Sequence, residues 1–225
     1  MSAKSPLPRL MLVSDRHATG GRDPIEVLAR AAAAGVELIQ LRERDLTDEQ
    51  LRLFAERVRA SVPANTLLVI NGRARVAEQL GCGLHLPADL PQPRNVRPWP
   101  LGRSVHGADE LAVAARMPGS SALKHRLSAP DYFVVGHVFT TTSKPGIPGR
   151  GIKWFESLTR QASGRPVIAI GGVMAERVGP LINAGAHGVA VRSAILSDPD
   201  PAAATARFLA AIRAVRARQR HGVEG

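Results

Sequence analysis

Several residue types are scarce in this chain of 225 residues, and each scarcity excludes a class of protein. Cys82 is the single cysteine, so a disulfide framework and a zinc site built on cysteines are excluded. Aromatic residues make up 4%, too few for the stacking surface that binds single-stranded nucleic acid. No apolar run is as long as the roughly 20 residues that a membrane-spanning helix needs.

The first nine residues contain two prolines and no apolar stretch, which is unlike a secretory signal peptide. Together with the lack of a long apolar run, this predicts a cytoplasmic protein that does not contact membranes. The composition, 44% hydrophobic and 22% charged, is typical of a folded domain.

Positive charge predominates, with 30 basic and 19 acidic residues and a net charge of +11. Lysine occurs only at Lys4, Lys124, Lys144 and Lys153, so nearly all of this charge belongs to arginine. The arginines are scattered and cluster only in the last predicted helix. This distribution predicts a small anionic ligand rather than a nucleic acid partner.

Eight short apolar segments alternate with amphipathic ones. Most are apolar on both faces, as parallel strands covered by helices are. The predicted strands are 10–15, 37–43, 66–71, 83–87, 101–106, 132–139, 167–171 and 188–191. The predicted helices are 24–34, 48–63, 73–80, 109–117, 155–162, 176–184 and 201–218.

This alternation predicts an α/β fold, a single (β/α)8 TIM barrel over residues 1–225, with 1–9 as an amino-terminal extension and 219–225 as a carboxyl-terminal tail. A doubly wound open sheet is the alternative, but the residues after the first strand lack its glycine fingerprint. Two segments fit the repeat less well. We expect 91–100 to be a rigid proline-rich loop and leave the role of the insertion at 118–129 open.

Functional side chains of such barrels gather at the carboxyl ends of the strands. Cations outnumber carboxylates there, which again predicts an anionic ligand. The candidate binding residues at these ends are Gln40, Arg42, Arg44, Asn71, Ser104, His106 and Lys144. Phosphate is predicted to bind backbone N–H groups after the last two strands, at Gly171, Gly172, Ser193 and Ala194.

His137 is the candidate proton carrier. If Val135, His137 and Phe139 share the inner face of their strand, the imidazole points into the barrel, where it can take and return a proton. His85 is instead expected to fill the interior. Lys144 lies in a hydroxyl-rich loop that could close over a ligand. No histidine pair has metal-ligand spacing, so no metal site is predicted.

Seven sequence blocks, in order from about Leu10 to Leu196, carry a resemblance to a known family. The blocks are 40–44, 70–73, 83–87, 102–106, 136–139, 166–172 and 188–194. With them, the chain resembles the thiamine phosphate synthase/TenI superfamily of barrels. Arg44, where the synthase pattern has lysine, and the charged Arg192 in the last block depart from the family pattern.

The superfamily implies two activities. Thiamine phosphate synthase joins a pyrimidine pyrophosphate to thiazole phosphate with Mg²⁺, which an Asn-Asp pair after the third strand helps to hold. Thiazole tautomerase (TenI) aromatises a dihydrothiazole carboxylate phosphate. This chain has Asn71-Gly72, and Asp89 stands in a shortened version of the second metal-ligand block. It also has Gly136-His137 where the synthase has Gly-Pro.

These differences make the tautomerase the expected function, with no cofactor and with thiazole phosphate as its small-molecule partner. His137 would carry out a 1,3-proton shift, and Arg42 or Arg44 would bind the carboxylate. The synthase is the first alternative, and only then is Mg²⁺ expected. A barrel that binds thiazole phosphate without catalysis, or that regulates a partner, is the second alternative. A homo-oligomer is left open.

Overall fold

Eight parallel strands close into a barrel in chain order, because the first strand pairs with both the second and the last. The computed structural model describes residues 7–91, 98–115 and 129–221. The predicted (β/α)8 barrel is confirmed. The strands are β1 Leu10–Val13, β2 Leu38–Leu41, β3 Leu67–Asn71, β4 Gly83–Leu86, β5 Leu101–Val105, β6 Tyr132–Gly136, β7 Val167–Ile170 and β8 Gly188–Val191.

Helices follow most strands and cover the outside of the barrel. They are α1 Pro24–Ala33, α2 Asp48–Ser61, α3 Ala74–Leu80, α4 Ala108–Ala115, α5 Ile152–Thr159, α6 Val178–Asn183, α7 Ser193–Leu196 and α8 Pro201–His221. Short 3-10 turns, Arg16–Ala18 and Ala175–Arg177, lie after β1 and before α6. The predicted helix 176–184 therefore begins as a 3-10 turn, and α8 extends into the segment predicted as a tail.

Most strands end earlier than predicted. β1 stops at Val13 rather than at residue 15, and β6 stops at Gly136 rather than at residue 139. The hydrogen-bonded pairing between strands ends where the backbone leaves the barrel and enters the loops. Arg42, His106 and His137 therefore lie in loops, whereas Gln40, Asn71 and Ser104 lie within β2, β3 and β5. Most of segment 91–100 and of insertion 118–129 lies outside the described residues.

Two apolar layers hold the barrel, as strand alternation requires. Phe133 and Val135 of β6 pack outward with helix residues such as Phe155. The interior layer is formed by strand residues, among them Met11, Val13, Leu38, Val69, Tyr132, Val134 and Ile168. Because Val135 faces the helices, the alternation used to place His137 inside the barrel is wrong. Gly136 takes the inward position instead.

The amino-terminal end of the barrel is closed by residues that precede β1. Leu7 packs against the interior layer. Arg9 Nη1 donates a hydrogen bond to the carbonyl oxygen of His187 at 2.6 Å, and His187 Nε2 donates to the carbonyl oxygen of Leu7 at 2.8 Å. This plug leaves the carboxyl-terminal end of the strands as the side at which a ligand can enter.

The start of α2 gives a test of the local structure. Thr47 Oγ1 accepts a hydrogen bond from the backbone N–H of Gln50, whose side chain accepts one from the N–H of Thr47. Thr47→Ala is expected to lower the free energy of unfolding by about 1 kcal/mol in urea denaturation, because it removes one side of this capping box. Thr47→Ser keeps the hydroxyl and should lose less. Equal stability of the two variants would contradict the assignment.

Candidate active site

Residues 40–44 lie at the end of β2 and just beyond it. Gln40 is in register with the interior residue Val13, and its side-chain amide donates to Met11 Sδ at 3.7 Å. Arg42, just beyond the end of β2, is half-buried, and its charge acts on the interior residue His85. Arg44 is exposed. The structure thus brings Gln40 and Arg42 to the barrel mouth, as predicted.

The neighbouring carboxylates are already bonded to other groups of the protein. Glu43 is buried, accepts a hydrogen bond from Ser14 Oγ at 2.6 Å and accepts another from the N–H of Arg16 at 3.2 Å. Asp15 accepts a hydrogen bond from Arg192 Nη1 at 2.8 Å. Arg192, singled out as unusual in the sequence, therefore joins the end of β8 to the end of β1.

Arg42 has no such partner: within residues 7–91, 98–115 and 129–221, its guanidinium makes no hydrogen bond and no ion pair. Burial lowers the pKa of Arg42, and the positive charges of Arg44 and Arg192 lower it further. We call these three residues the arginine edge. A partly desolvated guanidinium beside two other cations favours the binding of an anion.

A second group lies on β3, β4 and β5. Asn71 is in register with His85, and His85 is in register with Gly102. His85 Nε2 lies 2.8 Å from Ser104 Oγ, and its Nδ1 lies 3.3 Å from the hydroxyl of Tyr132. His85 fills the interior, as expected, but it also contacts a predicted binding residue.

The ionisation of this group is set by burial. Burial lowers the pKa of His85 to about 3, with smaller contributions from Arg103 and Arg42. His85 is therefore neutral at physiological pH. Burial also raises the pKa of Tyr132, which the negative charge of Asp131 raises further. Tyr132 was not predicted as a site residue.

The two histidines that were assigned functional roles lie next to each other in the fold but are used differently. His106 is exposed, and its Nδ1 lies 3.0 Å from the carbonyl oxygen of Gly136. His137 is buried just beyond β6, with Nε2 3.1 Å from the carbonyl oxygen of Pro148. A carbonyl can only accept, so His137 carries its proton on Nε2. Its Nδ1 is buried and has no partner among the described residues.

The loop between β6 and α5 contains Lys144, which is half-buried. Arg150, at the far end of the loop, donates to the carbonyl oxygen of His106 and lies over the Trp154 ring at 4.9 Å. The N–H of Gly151 donates to the carbonyl oxygen of Val138 at 2.8 Å. The loop is therefore anchored at its base, with Lys144 nearer its tip.

The predicted phosphate residues lie at the ends of neighbouring strands, β7 and β8. Gly171 and Gly172 have φ angles of +99° and +62°, a conformation that favours glycine. A Cβ at Gly172 would lie 2.3 Å from the carbonyl oxygen of Thr140, so the backbone packs directly on the β6–α5 loop. Ser193 and Ala194 begin the short helix α7. Phosphate binding at these four residues stays a prediction.

The donor set after β3 does not fit a magnesium ion held by protein carboxylates. Gly72, which follows Asn71, has no side chain to offer. Its φ is +71°, a conformation in which aspartate would be strained. Asp89 lies in an exposed turn next to it. Within the described ranges, no group of three His, Cys, Asp or Glu side chains is placed to bind a metal ion.

The fold and the mouth thus define a (β/α)8 barrel with a positively charged entrance. Residues 10–195 match the family model TMP-TENI, described as thiamine monophosphate synthase. The chain belongs to this family, as the sequence blocks predicted.

Two relatives align with this chain over almost the full length of both proteins. The chain is 34% identical over 210 residues to the thiamine-phosphate synthase of Acidothermus cellulolyticus, covering 92% of this chain and 95% of the relative. It is 35% identical over 215 residues to that of Methanoculleus marisnigri, covering 94% and 98%. These names do not support the expectation that the chain is closest to TenI.

Solved structures share the fold. The thiamine phosphate pyrophosphorylase from Pyrococcus furiosus superposes with a TM-score of 0.73 at 22% identity, covering 92% of this chain and 96% of that one. The described helices include none that is long and apolar enough to cross a membrane.

The arginine edge gives a direct binding test. Arg42→Ala is expected to weaken the binding of inorganic pyrophosphate about 10- to 100-fold, because a charge-assisted hydrogen bond contributes about 1.5–3 kcal/mol. Isothermal titration calorimetry in excess EDTA measures this, since the donor set after β3 leaves the arginines to supply the positive charge.

Arg57→Ala on the exposed face of α2 is the matched control and should bind like the wild type. Two results would contradict the assignment. One is equal binding by Arg42→Ala and the wild type, and the other is binding that begins only when Mg²⁺ is added.

Proposed function

We propose that this protein is a thiamine phosphate synthase, which joins a pyrimidine pyrophosphate to thiazole phosphate and releases pyrophosphate. The observation that carries the proposal is the likeness to synthases of about 34% identity along more than nine-tenths of both chains. It replaces the tautomerase as the first candidate, because the expectation from the sequence rested on a few substituted positions.

The charges at the mouth agree with this chemistry. A carbon–nitrogen bond forms to the thiazole ring, and the bond to the pyrophosphate oxygen breaks, so negative charge grows on the leaving group. In our proposal Arg42 and Arg44 bind that pyrophosphate, and their charges stabilise it as it leaves. Arg192 adds to the positive field while it stays bonded to Asp15.

The other predicted residues would orient the two substrates. Gln40, Asn71 and Ser104 lie on β2, β3 and β5 and would bind the pyrimidine ring. The backbone at Gly171, Gly172, Ser193 and Ala194 would hold the thiazole phosphate, and Lys144 would close over it. The synthase resemblance implies Mg²⁺, but the residues after β3 do not fit it, so no step is assigned to a metal.

A coupling assay with both substrates tests the proposal. The wild type is expected to form thiamine phosphate, detected by chromatography, and Arg42→Ala is expected to lose about tenfold or more in rate, because its guanidinium stabilises the leaving charge. Arg57→Ala should keep the wild-type rate. Absence of thiamine phosphate, with and without Mg²⁺, would refute the proposal.

Thiazole tautomerase is the second candidate, and His137 is the observation that favours it. Nε2 donates to the carbonyl oxygen of Pro148, so Nδ1 is the nitrogen left to accept a proton, and in this structure it is buried, so the β6–α5 loop would have to move before it could act as a general base. Gly72 also weighs against the synthase, because the synthase pattern has a metal-binding aspartate at this position.

If this candidate is right, His137→Gln should lower the rate of aromatisation by about 10²- to 10⁴-fold, because general acid–base catalysis contributes this much. Ultraviolet absorbance of the aromatic product follows the reaction, and the affinity for that product should stay nearly unchanged. His187→Gln, at the closed end of the barrel, is the control. Turnover that survives in His137→Gln would remove His137 from the mechanism.

A further inference from the structure

Tyr132, His85 and Ser104 form a continuous hydrogen-bonded chain from the barrel interior to its mouth. The Tyr132 hydroxyl lies 3.3 Å from His85 Nδ1, and His85 Nε2 lies 2.8 Å from Ser104 Oγ. Tyr132 is fully buried and His85 is 1% exposed, whereas Ser104 is half-buried. Of the three, only Ser104 is placed to touch a ligand.

Gly102 makes this chain possible. It is in register with His85 on one side and with Tyr132 on the other. A Cβ at this position would lie 2.1 Å from Tyr132 Cζ and 2.5 Å from His85 Nδ1. Because Gly102 has no side chain, the Tyr132 hydroxyl has room to reach His85.

The direction of the hydrogen bonds follows from burial. A buried hydroxyl hydrogen needs an acceptor, and within the described part of the chain His85 Nδ1 is the acceptor in reach. If Nδ1 accepts, the proton of the neutral ring lies on Nε2, which then donates to Ser104 Oγ. The Ser104 hydrogen is left to point away from His85, towards the mouth.

We propose that Tyr132 and His85 are positioning residues that fix Ser104 as a hydrogen-bond donor to an acceptor atom of the substrate. This rests on the proposed function only in placing the substrate at the barrel mouth. His85 stays neutral near neutral pH, since burial lowers its pKa to about 3, and its hydrogen bonds to Tyr132 and Ser104 hold the neutral ring in one tautomer. We call this hydrogen-bonded chain of Tyr132, His85 and Ser104 the relay. It moves no proton but holds Ser104 as a donor, so the substrate atom that it selects is an acceptor such as a ring nitrogen.

Nuclear magnetic resonance of protein labelled with ¹⁵N-histidine tests the relay without any turnover. The His85 signals, assigned by their loss in His85→Gln, should show a protonated Nε2 and a bare Nδ1, unchanged from about pH 5 to about pH 8. A proton on Nδ1, or a ring that titrates in this range, would overturn the proposal.

Kinetics of the coupling reaction test whether Tyr132 affects catalysis through Ser104. Tyr132→Phe should lower kcat about 3- to 10-fold in the wild-type background, as expected for one lost hydrogen bond, and leave pyrophosphate affinity unchanged. In a Ser104→Ala background the same substitution should have no further effect, because it acts through Ser104. An equal loss in both backgrounds would show a general structural effect and refute the relay.

A second pair of variants decides the question if Tyr132→Phe does not fold. His85→Gln can still donate to Ser104 and should retain more activity than His85→Leu, which cannot. Equal activity of the two would count against the relay. A wild type with the predicted tautomer but without coupling activity would refute the proposed synthase function and leave the relay intact.

Discussion

The hydrogen bonds of Glu43 determine the net charge of the barrel mouth. This carboxylate turns outward at the end of β2 and is bonded to the Ser14 hydroxyl and the Arg16 backbone. It ties β1 to β2 and is not available to Arg42. Asp15 is likewise bonded to Arg192. The arginine edge therefore keeps an excess of positive charge beside the ligand entrance, which is the condition on which anion binding depends.

Barrel closure supplies the second constraint. Because β8 pairs with β1, Arg192 meets Asp15 across 177 positions of sequence. The same closure stacks interior side chains into layers, and one layer holds Asn71 of β3, His85 of β4 and Tyr132 of β6, with Gly102 of β5 between the last two. The polar side chains that β3, β4 and β6 direct into the interior, Asn71, His85 and Tyr132, are thus uncharged, whereas the arginine edge lies at the ends of β8 and β2. Such a division suits a substrate with an uncharged ring and an anionic group.

Much of the fold and part of the site could be predicted from the sequence. Segments apolar on both faces predicted all eight strands, although the carboxyl ends of all but β3 and β8 were placed too far along the chain. The rule that functional side chains gather at strand ends selected Gln40, which the structure places in the interior layer. Alternation failed at His137, because Val135 packs outward with the helices and Gly136 takes the inward position. Tyr132 was missed because it lies in an apolar strand segment and was counted as a core residue. The sequence feature that could have indicated its role is Gly102, which leaves room for it on the adjacent strand.

The sequence by itself determined the eight strand–helix units, the family, the excess of arginine and the glycine where a metal-binding aspartate would stand. These are properties of residue type and local periodicity, which do not depend on distant partners. Only the tertiary structure decided which cations are neutralised and which polar groups form a chain through the interior. Those outcomes depend on the register of strands that are far apart in sequence, and no local pattern encodes that register.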